Sequence, residues 1–508
     1  MIKTTPNLVK SFLKTLEKDN NFNILNNKIS NTWNNTSRQK LNNMINNGIY
    51  TLKHYGVKNG DRVSYKGRNT VEWVAWNMSC YAIGAIWVPM YHNQSSNYCN
   101  YILQDCKPKV LITNFEDKFK DDIDMSANDF VFYENTNTKV IPYCLNSTNT
   151  ENMIFESHND IATLIYTSGT SGNPKGVMLS HENIFSNLYA INNRFSELQN
   201  HQTLNILPWA HIYSLTCELY YNLLFDNTTH ICSDVNNFVK ELNEVKPNSI
   251  FIVPKVLEQI KKRIDFLDKP IIKMLLPYVI NRLFGNNLDV IFVGGAKLDK
   301  HTKQFYLEHN INICEGYGAT ETSPLISVNH HISPRNTDSI GKLLDNIDVS
   351  IINDEICVAG PNVMQGYWNN VEATNNSIYI KDNKRWYKTG DSGRIENGFL
   401  FYDGRISENY KLSNGKFVNV SQVENNIRKH LKSNFIIYGE NRDYNTLITE
   451  CHVSNNLLKK INNDLDKYTQ IKYTITVNSD KMEEFLTPKM SIKRKMLINY
   501  VKTFDLMK

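Results

Sequence analysis

Through the first two-thirds of the chain, short apolar runs alternate with amphipathic segments. Val110–Ile112, Thr163–Tyr166, Ile250–Val253 and Val290–Val293 carry no charge, and helical patterns lie between them. Runs this short and apolar read as strands buried on both faces, and strands separated by helices pair in parallel. The alternation therefore predicts layered parallel α/β structure. From Ser339 to Phe401 the texture changes. Val349–Ile352 and Glu355–Val358 are short, separated by Gly, Asn and Asp, and predict antiparallel strands closing into a small β-barrel. After Gly404-Arg405 a further unit of about 100 residues mixes strands and helices, long enough for a small domain. The chain has 508 residues, too many for one core. The expected class is α/β: a large N-terminal domain of layered α/β subdomains plus the barrel (1–405), then a small α+β domain (406–508). No internal repeat is present.

Composition narrows the function. Hydrophobic residues make up 41% of the chain and charged residues 21%, with a net charge of +5. That charge is small for the length and argues against a nucleic-acid partner. Nine cysteines, an odd number with no CxxC pair, point to free thiols in a reducing compartment and away from zinc. The N-terminus lacks an apolar signal core. Val9, Phe12, Leu13 and Leu16 fall at helical spacing and predict a short packed helix. The uncharged stretch Val74–Met90 is too short and too polar to span a bilayer. It predicts a buried helix over 71–82, a turn at Gly84 and a buried strand. A cytoplasmic protein with at most peripheral membrane contact is expected, and Asp505–Lys508 is not a prenylation box.

The strongest local signal is Tyr166–Val177, YTSGTSGNPKGV. An apolar strand leads into a loop of Thr, Ser and Gly whose backbone N–H groups and hydroxyls suit phosphate oxygens. Lys175 adds a compact positive charge. A Walker loop needs Gly-Lys-Ser/Thr opening a helix. Here Lys175 follows Pro174, and the helix starts later, near Ser180.

This loop resembles the signature of the adenylate-forming superfamily, which includes acyl-CoA synthetases, luciferases and peptide-synthetase adenylation domains. Further segments follow in that family's order: Glu315–Thr322 (EGYGATET), Tyr387–Asp391 (YKTGD) and Gly404-Arg405. The resemblance covers nearly the whole chain. It implies a nucleotide site of Thr167, Ser168, Gly169, Thr170, Ser171, Gly172, Lys175, Gly295, Ala296, Glu315, Gly316, Tyr317, Gly318, Ala319, Thr320, Asp391 and Arg405. The chemistry suits these types. Tyr317 offers a face for adenine, and Gly316 and Gly318 allow close backbone approach. Thr320 offers a hydroxyl to the α-phosphate. Asp391 can accept both ribose hydroxyls, with Arg405 donating beside it. Glu321 supplies a hard oxygen for Mg²⁺, with Thr170 as second ligand. Lys175, Thr320, Glu321 and Arg405 are the implied catalytic set.

Other segments are similar to the long-chain acyl-CoA synthetase branch. Leu207–Tyr213, with Trp209, His211 and Tyr213, is expected to border the acyl site together with Gly294. Leu412–Val418 is expected as a hairpin turning at Asn414-Gly415, with Lys411, Ser413 and Gly415 facing the CoA channel. The stretch Leu204–Leu207 is apolar apart from Asn205 and offers no acid for an α-ammonium group. The resemblance implies two half-reactions, acyl-AMP formation and transfer to CoA, with a mobile C-terminal domain. Fatty acid, ATP and CoA are the implied partners and Mg²⁺ the cofactor. Two departures stand out. Aligning Thr487-Pro488 and Lys493-Arg494 puts Ser491 where relatives carry a catalytic lysine, and Ile406-Ser407 replaces the usual charged residue of the linker. Two readings stay open on the sequence: an active ligase, helped by Lys489 or Lys493, or a nucleotide- or acyl-binding relative with weak or lost adenylation.

Overall fold

The structure is a computed structural model that describes residues 8–113, 139–142, 161–167, 174–264, 275–486 and 492–503. Among these residues the strands form two large sheets and two small ones. The first large sheet runs, in spatial order, Gly366–Tyr367, Lys175–Ser180, Ile161–Thr167, Ile86–Met90, Arg62–Lys66, Val110–Thr113 and Lys139–Pro142. Its centre is parallel, and its last two steps, Ile161–Thr167 to Lys175–Ser180 to Gly366–Tyr367, are antiparallel. Between Ile86–Met90 and Ile161–Thr167 the register is the single pair Trp87↔Thr163. Pro89 has no N–H to carry that ladder on. The Thr163 hydroxyl donates instead to the Trp87 carbonyl at 2.8 Å.

The helix expected before this strand spans Val71–Ala82. Thr70 caps it by accepting from the Trp73 N–H at 3.0 Å. Eleven of its residues are buried, so it lies inside the protein rather than on it. Gly84, with φ +71°, turns the chain into the strand. The N-terminal helix Leu8–Leu16 packs Leu8, Val9, Phe12 and Leu16 into the largest core.

The second large sheet changes character along one strand. Ile313–Glu315 pairs in parallel with Val290–Val293, which pairs in parallel with Ser249–Ile252. The rest of the same strand, Gly316–Gly318, pairs antiparallel with Leu325–Val328. From there the sheet continues antiparallel through Lys342–Leu343, Phe399–Arg405, Lys384–Glu396 and Glu355–Ala359 to Asp348–Ile352. The antiparallel strands expected beyond Ser339 as a small β-barrel thus continue the α/β sheet from Ile313–Gly318 as one open path among the described residues. The segment Gly316–Gly318 lies past the carboxyl end of the parallel pairing, and that end of open α/β sheets is the one at which ligands bind.

Beyond Asn409 two compact cores are built entirely from later residues. One includes Tyr410, Val418, Val423 and Ile427, the other Ile436, Ile448, Leu497 and Val501. They surround a three-stranded sheet of Phe435–Tyr438, Asn445–Thr449 and Ile471–Thr476. The expected hairpin pairs Tyr410–Lys411 with Phe417–Val418, and Gly415 at its turn has φ +79°. Every cysteine among the described residues is a free thiol; Cys144 lies outside them. No helix among the described residues is long and apolar enough to cross a membrane.

Candidate active site

Five of the expected phosphate-loop residues, Ser168, Gly169, Thr170, Ser171 and Gly172, lie outside the described residues, as do Lys489 and Ser491. The two ends of the loop are defined. Thr167 and Lys175 face each other as the last rung of an antiparallel ladder. The helix that follows, His181–Arg194, begins with a capping box. The Ser180 hydroxyl accepts from the Asn183 N–H, and the Asn183 amide oxygen accepts from the Ser180 N–H.

The segment Pro361–Trp368 ties this helix to the Thr320–Thr322 turn. The Asn183 amide donates to the Pro361 and Val363 carbonyls, and the Asn362 amide donates to the Thr322 carbonyl. Tyr367 completes the join. Its ring lies 4.9 Å from the Lys175 ammonium, and its hydroxyl donates to Glu321 Oε1 at 2.8 Å. One buried tyrosine therefore contacts both Lys175, the expected phosphate-loop cation, and Glu321, the expected Mg²⁺ carboxylate. Among the described residues Tyr367 is the one hydrogen-bond partner of the Glu321 carboxylate. That leaves oxygen lone pairs for an ion that keeps waters and phosphate oxygens as its other ligands, so the residues present fit Mg²⁺.

A second cluster stands on the antiparallel strands. Asp391 and Arg405 are opposite each other in register, with Arg405 Nε 2.9 Å from Asp391 Oδ1. The Tyr317 hydroxyl donates to Asp391 Oδ2 at 2.6 Å. Arg405 also donates to the Thr389 carbonyl at 3.0 Å. Burial pushes the Asp391 carboxyl up to about 6, against the pull of Arg405 and of the Tyr317 hydroxyl. Burial works against the Arg405 charge too, but Asp391 and the tyrosines Tyr402, Tyr317 and Tyr387 outweigh it and hold the guanidinium protonated. Tyr402, 5.8 Å from Tyr317 ring to ring, belongs to this cluster, and no motif marks it in the sequence.

The loop after Val290–Val293 carries Gly294, Gly295 and Ala296. Gly295 has φ +82°. A Cβ on Gly294 would sit 2.8 Å from the Tyr213 ring, so a side chain there must displace that ring. Glu315 fixes the loop from below. It accepts from the Leu298 N–H at 3.3 Å and from the Lys303 ammonium at 3.0 Å. Its carboxylate is thus engaged within the fold, although its strand leads to Gly316, Tyr317 and Gly318. Gly318 cannot carry a side chain: a Cβ would lie 1.8 Å from the Pro324 carbonyl oxygen. Ala319 receives the Thr322 hydroxyl at its N–H, and Thr320 is buried in the turn.

Beside these segments lies a narrow apolar cavity. Its lining includes Ile191, Phe195, Leu198, Tyr213, Phe251, Phe292 and Leu325, and it reaches Gly316. It brings the acyl candidate Tyr213 and the nucleotide candidate Gly316 onto one wall. Trp209 is placed otherwise. It is fully buried against Trp73, ring centroids 5.5 Å apart, and packs in the core rather than lining the cavity. His211 accepts from the Tyr213 N–H through Nδ1. Lys411, Ser413 and Gly415 lie on the exposed hairpin, where the Ser413 hydroxyl donates to Asp443. Sequence reasoning missed Glu218, a fully buried acid just past the segment read as apolar. It is not among the residues lining the cavity.

Two charged pairs, Lys175 with Glu321 around Tyr367 and Asp391 with Arg405 beside Tyr317, thus stand on an α/β sheet with an antiparallel extension. The model of the AMP-binding enzyme family matches residues 17–368, and the chain belongs to that family. Among curated relatives it is 26% identical to the long-chain-fatty-acid–CoA ligase FadD15 of Mycobacterium tuberculosis over 82% of this chain and 77% of that one. It is also 26% identical to the human long-chain-fatty-acid–CoA ligase ACSBG1, over 77% of this chain and 63% of that one. Solved structures share the fold. ATP-bound MatB from Rhodopseudomonas palustris superposes with a TM-score of 0.81 at 19% identity, covering 99% of this chain and 100% of that one. O-succinylbenzoate CoA synthetase (MenE) from Bacillus subtilis, with ATP and magnesium, gives 0.79 at 20% identity, covering 96% and 98%.

Proposed function

We propose that the chain activates a fatty acid with ATP and passes the acyl group to CoA. The acid carboxylate attacks the α-phosphorus of ATP, forming acyl-AMP and releasing pyrophosphate. The CoA thiol then attacks the acyl carbon, giving the thioester, and AMP leaves. The observation that carries this reading is the apolar cavity that reaches Gly316, one residue from Tyr317 and its partners Asp391 and Arg405. As it stands the cavity is too narrow for an alkyl chain; with its aromatic lining parted, a chain there brings its carboxylate toward the nucleotide segment, and such alignment accounts for much of the work in a displacement at phosphorus. The long-chain ligases among the relatives support the same substrate class.

In this reading Tyr317 stacks on adenine, Asp391 and Arg405 hold the ribose, Thr320 donates its hydroxyl to the α-phosphate, and Lys175 offsets phosphate charge. The loop Thr167–Gly172, Gly295 and Ala296 complete the nucleotide site. Glu321, with Thr170, would hold Mg²⁺, which when bound offsets phosphate charge. Tyr213, His211 and Gly294 border the acid, while Trp209 supports them from the core. Residues 1–405 form one domain and 406–508 a second. Rotation of the second about Ile406-Ser407 turns Lys411, Ser413 and Gly415 toward the CoA channel. The site lies in the cytoplasm, with membrane contact limited to collecting the acid. Ser491 favours a second reading, a binding protein with weak adenylation, because serine supplies no cation. Pyrophosphate release from ATP and Mg²⁺, measured across fatty acids and amino acids, separates the two. Stimulation by fatty acids alone supports the ligase. AMP binding without any acid-stimulated release supports the binding protein, and stimulation by an amino acid overturns the substrate class.

A further inference from the structure

The segment after Tyr213 is a π-helix, Ser214–Tyr220, with every residue buried. Its wider turn is uncommon and tends to occur where a fold serves a function. On it, Cys217 lines the cavity while the next residue, Glu218, takes part in a separate polar network. Glu218 Oε2 accepts from the Asn205 amide at 2.6 Å. Asn205 Oδ1 accepts from the Asn69 amide at 2.7 Å. Asn69 Oδ1 accepts from the Trp209 N–H at 3.0 Å, and both amides also donate to the Leu207 carbonyl, at 2.8 and 2.9 Å. The chain of contacts ends on the backbone of the loop that leads to His211 and Tyr213. The other side of the π-helix is pinned as well. The Tyr220 hydroxyl donates to Asn77 at 2.9 Å and lies 2.8 Å from the Tyr81 hydroxyl, both on the buried helix Val71–Ala82.

We propose that Glu218 is a positioning residue for acid activation: through Asn205 and Asn69 it fixes the Leu207–Tyr213 loop and so the seat of the acid beside Gly294. This rests on the ligase reading. Glu218 is not among the residues lining the cavity, so its action is indirect. A carboxyl group with no exposure and no cation partner among the described residues is costly to ionise. Burial pushes it up to about 8, only partly offset by Asn205. The titratable groups facing it are Tyr213 and Cys217, both also raised by burial and both neutral; the groups presented by other elements are the Asn205 and Asn69 amides. The network is thus assembled around a neutral acid, and ionisation disturbs the loop.

The test compares Glu218→Gln, Glu218→Ala and Asn205→Ala in the full-length protein. Glutamine keeps a carbonyl acceptor for Asn205 and cannot ionise. Wild type is expected to lose acid-dependent pyrophosphate release above pH 8 through a rise in KM for the acid, and Glu218→Gln to lack that alkaline fall. Glu218→Ala and Asn205→Ala are expected to raise the acid KM about tenfold, the scale of one lost buried hydrogen bond, with the KM for ATP unchanged. Hydrogen exchange over residues 204–213 gives a readout independent of turnover. It should quicken in both alanine variants and stay slow in Glu218→Gln at pH 7, with Val290–Val293 unaffected. A glutamine variant with the wild-type pH profile, or alanine variants with unchanged acid KM and unchanged exchange, overturns the proposal. If wild type releases pyrophosphate with no acid at all, the ligase reading fails, and the exchange arm alone decides whether Glu218 holds the loop.

Discussion

Replacing Tyr367 by phenylalanine removes one hydroxyl from the contact that joins the phosphate loop to the proposed Mg²⁺ carboxylate. The ring stays, so the Lys175 ammonium keeps its aromatic seat at 4.9 Å. The hydrogen bond to Glu321 Oε1, 2.8 Å long, is lost. A hydrogen bond to a charged group contributes about 1.5–3 kcal/mol. Glu321 is half-buried, so water can replace part of that, and the lower end, about 1.5 kcal/mol, applies. This corresponds to a roughly tenfold slower adenylation and a higher Mg²⁺ requirement. AMP binding should hold, because Tyr317, Asp391 and Arg405 do not depend on Tyr367. Tyr367→Ala also frees Lys175, an interaction of about 0.5–2 kcal/mol, and leaves a cavity, so it is expected to lose stability as well. The assay is ATP–pyrophosphate exchange across a Mg²⁺ titration, with AMP binding followed by calorimetry. Full activity in Tyr367→Phe, or an equal loss of exchange and AMP binding, refutes the assignment of Tyr367 to the placement of Glu321.

Asp391, with its carboxyl raised to about 6, is ionised above that pH and protonated below it. Ribose hydroxyls need the ionised acceptor, so AMP affinity should be level above pH 7 and fall roughly tenfold per unit below 6, and Asp391→Asn should bind weakly with no such slope. Gly294→Ala places a Cβ 2.8 Å from the Tyr213 ring and should raise the acid KM while leaving AMP binding intact, as read by steady-state kinetics and calorimetry. Ser491→Lys should speed acyl-AMP formation by about 10²–10³-fold, the scale of one electrostatic contact at a reacting centre, and leave thioester formation from synthetic acyl-AMP unchanged.

Local signals carried the elements that proved readable. The buried helix Val71–Ala82 is bounded by a threonine cap and a glycine turn, each effective within one turn of chain. The same holds for the Ser180 capping box and the Gly415 hairpin. What escaped is set by distant partners. Ile313–Gly318 looks like any buried strand, and its change from parallel to antiparallel pairing comes from Val290–Val293 on one side and Leu325–Val328 on the other. Tyr367 gains its place from Lys175 and Glu321, neither near it in sequence. Glu218 stands in an ordinary amphipathic-looking stretch. Only the packing of Asn205, Asn69 and the helix Val71–Ala82 around that stretch makes its carboxyl a buried acid. Trp209 shows the converse: a residue expected to border the acid packs in the core against Trp73. The acyl, nucleotide and linker motifs named candidate residues, while the contacts that orient them come from the folded chain.

Acid-dependent adenylation is measured by pyrophosphate release from the purified chain with ATP, Mg²⁺ and fatty acids of graded length, followed by addition of CoA. Release is expected only when a fatty acid is present, with loss of release in Glu321→Gln while AMP binding is retained, and with conversion of the acyl-AMP to acyl-CoA and AMP once CoA is added. Release stimulated by an amino acid and by no fatty acid, or no acid-stimulated release from a folded, AMP-binding protein, contradicts that expectation.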